Sequence, residues 1–496
     1  MQFNSLIFLY LFLPVILIVI HVSPKTIRNT CILLISWVFY AWGGVSYIAV
    51  LLGSILLNYL IGLAIDHGQG ELARKRWFLA GVILNLLFLG VFKYNVFFID
   101  NVNVLTSIFG VAPWIVKNIF LPLGISFFTF KALTYLISVK RREVPVQKNF
   151  INLALYISLF PQLIAGPIDR YKNLLPQLQH RVLSFEQFSS GVQRFVLGLF
   201  KKVIISGPLA YVADQVFTGP ANSAGFLLSW LGAICFALQI YYDFSGYTDM
   251  AVGIGRMLGF RFVENFNFPY ISRSVHEFWQ RWHISLSTWL RDYLFLPVAF
   301  STSRRLKNER YLGIRVDRVI YTWATLVTFV LCGFWHGAAW NFVIWGLIHG
   351  IMLSMERGRF GKWLDHGGGW FGHLYLPFFV VVTLVIFRTA TPDQAFSFIA
   401  SMFDLRGNDA DWGKLLEYLN PGFILVFILA VAGSTRIFDR VLRIIRKGME
   451  SRRVTVSRLC FHFYNLGILV FILFALALST LTLIAGTNSS FIYFRF

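Results

Sequence analysis

Long apolar runs recur through this chain from residue 3 to residue 486, most of them near the length of a membrane pass and poor in charge. A helix rises about 1.5 Å per residue, so about twenty residues cross a hydrocarbon layer of ~30 Å. A soluble core cannot bury so many runs, and they read as transmembrane helices. Spans are expected at residues 3–22, 30–66 (one or two passes), 78–98, 119–139, 150–168, 190–215, 225–260, 319–335, 340–355, 374–390, 421–437 and 462–486. That gives roughly eleven passes and an all-α, polytopic membrane fold. The composition agrees, with 57% hydrophobic and 14% charged residues among 496. No polar linker or low-complexity stretch divides the runs, so residues 1–496 read as a single membrane domain.

The first run is too long for the core of a signal peptide, has no basic residue before it, and is followed by Lys25 and Arg28. It is expected to be retained, starting outside and ending inside. The net charge of +21 would raise the question of nucleic acid in a soluble protein. Here the basic residues fall in short loops between apolar runs, the positive-inside pattern. Examples are Arg74, Lys75 and Arg76; Lys140, Arg141 and Arg142; Arg304, Arg305, Lys307 and Arg310; and residues 436–458. No basic platform with stacking aromatics accompanies them, so nucleic acid is not an expected partner. Cys31, Cys235, Cys332 and Cys460 are scattered and lack CxxC spacing, which suggests reduced, buried thiols and neither disulfides nor a metal site.

Three runs are broken: LPLGISFF around Pro122 and Gly124, LFPQLIAGPIDRY at residues 159–171, and GFWHGAAW at residues 333–340. Non-helical backbone at membrane depth is tolerated only where protein or a wet cavity satisfies it, so each is expected to line an interior pocket. Residues 262–297 mix aromatics with Arg273, His276, Glu277, Arg281, His283, Arg291 and Asp292. They read as an amphipathic helix in the interface or dipping into a cavity. The chain shows no internal repeat, which weakens a transporter reading.

Ionisable groups inside membrane segments are costly and are functional candidates. His336 ends the apolar run at Trp335, between Gly333 and Gly337, where backbone or substrate could approach closely. A neutral imidazole there could take a proton from a hydroxyl attacking a thioester; the alternative is a histidine hydrogen-bonded between helices. His349, thirteen residues on, would lie across a continuous helix from His336, which argues against a shared metal and for a structural role. Trp340, Asn341 and Trp345 could wall the pocket, or simply pack. His276 and His283 are seven residues apart, on nearly one face of a continuous helix, but the clustered histidine boxes of a membrane di-iron enzyme are missing. Asp243, Ser245 and Asp249 in YYDFSGYTDM could orient a histidine or hold helices together. The run GIGRMLG has GxGxxxG spacing and follows no strand, so it reads as small-residue helix packing and not as a nucleotide loop. Neither a Walker motif nor a GxSxG elbow occurs.

YYDFSGYTDMAVGIGRMLGF, NFNFPYISRSVHEFWQRWHISLSTWLRDYLFLP and GFWHGAAWNFVIWGLIHG together resemble the membrane-bound O-acyltransferase family. The resemblance extends to LPLGISFFTF, LFPQLIAGPIDRY, the IFRTATPDQAF segment and the terminal FIYFRF. It is strongest to the bacterial branch that serves O-acetylation of alginate and modification of peptidoglycan, cellulose or teichoic acid. It implies a ring of tilted helices around a central funnel, with the family histidine at His336 and a second at His283. Asp243, Ser245, Asp249, Asn341 and Trp335 are supporting candidates. It further implies acetyl-CoA as donor with no tightly bound cofactor and no metal, membrane lipid around the chain, and a bacterial inner-membrane location. An exported SGNH-type transferase is the implied partner that passes the acetyl group to a polysaccharide. The basic loop from Arg304 to Arg310 could meet the CoA. Lys131 and Ser138 stand where relatives often carry Gln and Asp, which could alter partner or acceptor contacts. Peptidoglycan or cellulose O-acetylation, teichoic-acid D-alanylation, and a transporter or non-catalytic scaffold remain the alternatives.

Overall fold

The computed structural model describes residues 1–115, 121–219, 225–366, 368–405, 409–450 and 454–486. The terminal FIYFRF run and the first two residues of the expected 119–139 span fall outside them. Within the described residues the chain is all-α; the only strands are the two-residue pair Arg310–Tyr311 and Ile314–Arg315. Seven described helices are long and apolar enough to cross a membrane, and the bent pair Trp412–Tyr418 and Pro421–Gly433 makes an eighth candidate. Other expected passes appear as shorter helices, among them Arg28–Ala41, Ile125–Lys140 and Trp340–Glu356. Shortness is tolerated where a helix is enclosed by protein: all of Ile125–Lys140 except Ile137 and Lys140 is buried. Lipid-facing helices differ, and only 17% of the apolar window in Gly70–Ser107 is buried.

The chain forms two compact units. The first comprises Met1–Phe195 and Thr248–Val263. In it, alternating passes return Lys25 and Arg28, Arg74 to Arg76, and Lys140 to Arg142 to one side. The break at residues 159–171 is real. Phe150–Ser158 stops, one turn follows at Phe160–Leu163, and Tyr171–Gln179 begins after an irregular stretch. The exposed backbone polarity is met by protein. The buried ammonium of Lys131 donates to the Tyr156 carbonyl at 2.8 Å, the Tyr156 hydroxyl donates to the Asp169 carbonyl at 3.0 Å, and Gln162 donates to the Asp169 carboxylate at 2.5 Å. Gly124, at φ +74°, lies directly against the Leu163 carbonyl, so two of the three broken stretches pack on each other. The GIGRMLG run packs as expected: a Cβ on Gly253 would meet the Gly191 carbonyl at 2.7 Å.

The second unit comprises Val196–Tyr247 and Glu264–Phe496. Its centre is a hairpin of Val316–His336 and Trp340–Glu356, joined by three residues. A Cβ on Gly333 would strike the Phe342 carbonyl, and one on Gly346 the Phe329 carbonyl, so the two backbones are in direct contact. The group that approaches Gly333 is thus the partner helix. The 262–297 region is not one amphipathic helix. It breaks into Val275–Arg281, Ile284–Leu290, a π-helical turn Arg291–Phe295 and Leu296–Arg305. The junction residue His283 has φ 44° and ψ 52°, a left-handed backbone that no continuous helix allows. His276 is therefore exposed while His283 is fully buried, and the expected common face does not exist.

The hairpin makes a stability prediction. Gly346→Ala should lower the thermal unfolding midpoint in detergent by the equivalent of about 2 kcal/mol or more, since backbone must separate to admit the methyl. Gly53→Ala, which has open space at its Cβ, should leave the midpoint unchanged or raise it by the equivalent of up to about 1 kcal/mol. Equal effects would remove close backbone packing as the cause.

Candidate active site

Val316–His336 runs for 21 residues from the basic Arg310–Arg318 stretch, about 30 Å of rise, and ends in His336. Gly337 stops it, with extended backbone and its Cα against the Phe342 ring. His336 is thus presented at a helix end, in a cage of aromatics. Its ring centroid lies 4.9 Å from Trp335, 5.3 Å from Trp345 and 5.3 Å from Phe387, each edge to face. It borders a cavity of about 20 Å³, closed by Trp282, Val380, Leu384 and Phe387. That is room for one water-sized group.

The hairpin turn changes the position expected for His349. Because the helix stops at His336 and returns, His349 lines the same cavity. Its ring lies 4.7 Å from Trp345, the residue that also packs on His336. The Trp279 indole donates to His349 Nδ1 at 3.2 Å, which fixes the proton on Nε2, facing the Thr383 hydroxyl at 3.4 Å. His349 is a fixed wall of the His336 cavity. On its other side Trp279 borders a larger cleft of about 490 Å³, reached past His276, Arg291 and Tyr321.

His283 is placed by a residue that the sequence reading missed. Asn265 Oδ1 accepts from His283 Nδ1 at 3.2 Å and from the Ser285 amide at 3.0 Å, and the Asn265 carbonyl accepts from the Ile284 amide at 3.0 Å. One asparagine therefore caps Ile284–Leu290 and sets the tautomer of His283, leaving Nε2 as the lone-pair nitrogen. That Nε2 is buried and has no hydrogen-bond partner among the described residues. Phe244 stands 4.7 Å from the ring and Trp335 6.4 Å. His283 and His336 hence share Trp335 as a neighbour. Burial pushes the His283 imidazole down to about 3, so it is neutral at working pH.

Among the other buried polar atoms without a hydrogen-bond partner among the described residues are Asn341 Oδ1 and Nε1 of Trp345, a residue that lines the cavity. Native folds rarely leave such groups open. The Asn341 amide donates to the Thr389 carbonyl. Glu356 was also missed: its carboxylate accepts from the Val275 and His276 amides at 2.7 and 2.9 Å and so anchors the short Val275–Arg281 helix. Neither Asn265 nor Glu356 belongs to a spacing pattern; only their burial marks them.

Asp243 and Asp249 take other places. Asp243 is ion-paired with the equally buried Lys202, and Asp249 with Arg194 at 2.7 Å. Both carboxylates thereby join helices, the structural alternative of the sequence reading. Ser245 is buried on the same helix. All four cysteines are unpaired. No group of three or more His, Cys, Asp or Glu side chains suited to a metal occurs among the described residues.

A multi-pass membrane protein thus carries a histidine caged at a helix end and a second buried histidine that shares Trp335 with it as a neighbour. The chain belongs to the membrane-bound O-acyltransferase family, whose model matches residues 32–362. It is an acyltransferase. It is 37% identical to the probable alginate O-acetylase AlgI of Azotobacter vinelandii over 100% of both chains. It is 44% identical to the probable alginate O-acetylase AlgI of Pseudomonas aeruginosa over 72% of this chain and 66% of that one. It is 36% identical to the peptidoglycan O-acetyltransferase of Helicobacter pylori over 72% of this chain and 70% of that one.

Asn265→Ala should destabilise the protein by about 1–3 kcal/mol and lower activity with it, because it strips two buried donors of their acceptor. Thermal unfolding and turnover check both. A pH effect follows as well. An unfolded chain protonates His283 near 6.5, so the folded chain's preference for the neutral ring is fully present above about 6.5 and is lost as pH falls toward 3. His283→Asn tolerates the left-handed backbone. Between pH 7 and pH 5 it should lose about 2 kcal/mol less stability than wild type. Equal acid sensitivity would show that the ring is not held neutral.

Proposed function

We propose that this chain moves an acetyl group from cytoplasmic acetyl-CoA across a bacterial inner membrane for the O-acetylation of an exported polysaccharide, alginate being the best-supported polymer. The observation that carries the polymer is the end-to-end match to a probable alginate O-acetylase. The match to a peptidoglycan O-acetyltransferase covers less of the chain and supports the shared chemistry more than a shared acceptor. An exported SGNH-type transferase would take the acetyl group onward.

The buried histidines support a direct account of the chemistry. His336 takes the proton of the attacking hydroxyl as its oxygen bonds to the thioester carbonyl carbon. The carbonyl oxygen gathers negative charge, and the open Trp345 N–H is a donor suited to it. When the C–S bond breaks, the electron pair leaves with the CoA sulfur, and the proton held by His336 returns to that thiolate. His283, with its lone pair on Nε2, orients the hydroxyl or the acyl group. The apolar cage keeps water from competing for the thioester.

His336→Ala, present in the membrane at wild-type level, should abolish acetylation of the exported polymer, measured as ester content; full acetylation would defeat the catalytic assignment. Trp345→Phe keeps the ring and removes the N–H. It should lower the rate of CoA thiol release from acetyl-CoA about 10- to 100-fold with little change in KM.

A further inference from the structure

Apart from the acyl-transfer residues, the first unit contains a cavity of about 470 Å³ whose wall is polar and basic. Lys25, Arg28, His180 and Arg181 line it, together with Asn29 and Asn152, and no carboxylate is among its described lining residues. Arg28 is held in place by donating to the Ile20 and Ser23 carbonyls at 3.1 and 3.0 Å, acceptors that carry no full charge. Arg181 donates to Asn29 Oδ1 at 2.5 Å and lies over the Phe260 ring at 4.6 Å. Its Nε and Nη2, the two donors of the side edge that grips oxyanions, are shielded in this conformation and have no acceptor among the described residues, so the guanidinium has to turn to present them to a ligand. Burial, with the Arg28 charge adding to it, pushes the Arg181 guanidinium down to about 10, as expected of neighbouring cations without a counter-ion.

The backbone adds to this field. Arg28–Ala41 and Phe150–Ser158 both start at the cavity, with Arg28, Asn29 and Thr30 of one and Ile151 and Asn152 of the other in its wall. Helix starts carry partial positive charge, and the N-cap of the first, Ile27, makes no side-chain hydrogen bond to its first turn. The carbonyl end of Tyr171–Gln179 also reaches the wall, but the Leu178 carbonyl is taken by the Asn29 amide at 2.8 Å.

The geometry points to a phosphate-binding site at this cavity, formed by Arg181, Arg28 and Lys25 with two helix starts. The ligand carries a phosphate mono- or diester, supplied either by an anionic lipid headgroup or by a soluble phosphate compound. Its charge would neutralise cations for which the described lining residues supply no carboxylate. This reading does not depend on acyl transfer, and no residue proposed for that reaction contributes.

The test uses the full-length protein purified in neutral detergent. One arm titrates inorganic pyrophosphate. The other reconstitutes the protein in phosphatidylcholine nanodiscs with increasing phosphatidylglycerol. Thermal unfolding is the readout. At least one arm should raise the midpoint saturably. Arg181→Gln should weaken that apparent affinity by about tenfold or more, as loss of a charge-assisted fork requires. Thr26→Glu, an exposed wall position that would receive a carboxylate, should do the same and decides the matter where Arg181→Gln does not fold. Lys140→Gln, outside the cavity, should respond as wild type. Response in the nanodisc arm alone identifies a lipid headgroup, and in the pyrophosphate arm alone a soluble phosphate. The site is refuted by no saturable shift in either arm, or by a folded Thr26→Glu protein that responds as wild type.

Discussion

Backbone amides and carbonyls have no water to turn to inside a bilayer, and every irregularity in this chain answers to that constraint. A helix that stops at membrane depth must be met by protein. Lys131 meets the end of Phe150–Ser158 by donating to Tyr156. Glu356 takes the opening amides of Val275–Arg281, and Asn265 those of Ile284–Leu290. These polar residues are the cost of breaking helices in an apolar medium, and the breaks are what place the buried His283 and His336 at helix ends.

The same economy governs the interior charges. Lys202 and Asp243 are both enclosed and joined, and Arg388 meets Asp214 at 2.6 Å. Such pairs add little net stability over apolar contacts of equal size, but removing one partner strands the other, which makes them strong determinants of helix register. Lys202 lies in the π-helical turn Lys201–Ser206, where the extra residue per turn shifts its helix face.

Much of this was legible in the sequence, and what was not has a common reason. Apolar runs gave the passes, and composition around His336 marked it before any fold was known. Positional arguments failed where they assumed an unbroken helix. His276 and His283 share a face only if Trp282 continues the helix, and His349 opposes His336 only if Gly337 does. Proline and glycine flagged the 333–340 break, yet the break at His283 carries neither; it is made by Asn265, eighteen residues upstream. Partners such as Lys202 for Asp243 and Arg194 for Asp249 are 41 and 55 residues distant and follow no period. Tertiary pairing of isolated polar residues leaves no local signature.

The cavity beside His336 is bounded by the same helix packing. Its volume of about 20 Å³ admits a water-sized group, and its walls, Val380, Leu384 and Phe387, are well packed. Any larger group placed there would have to push those side chains aside, at about 1–3 kcal/mol for an overpacked core. The helix packing that cages the histidine therefore also fixes the shape of the space beside it, which can enlarge only if its walls repack.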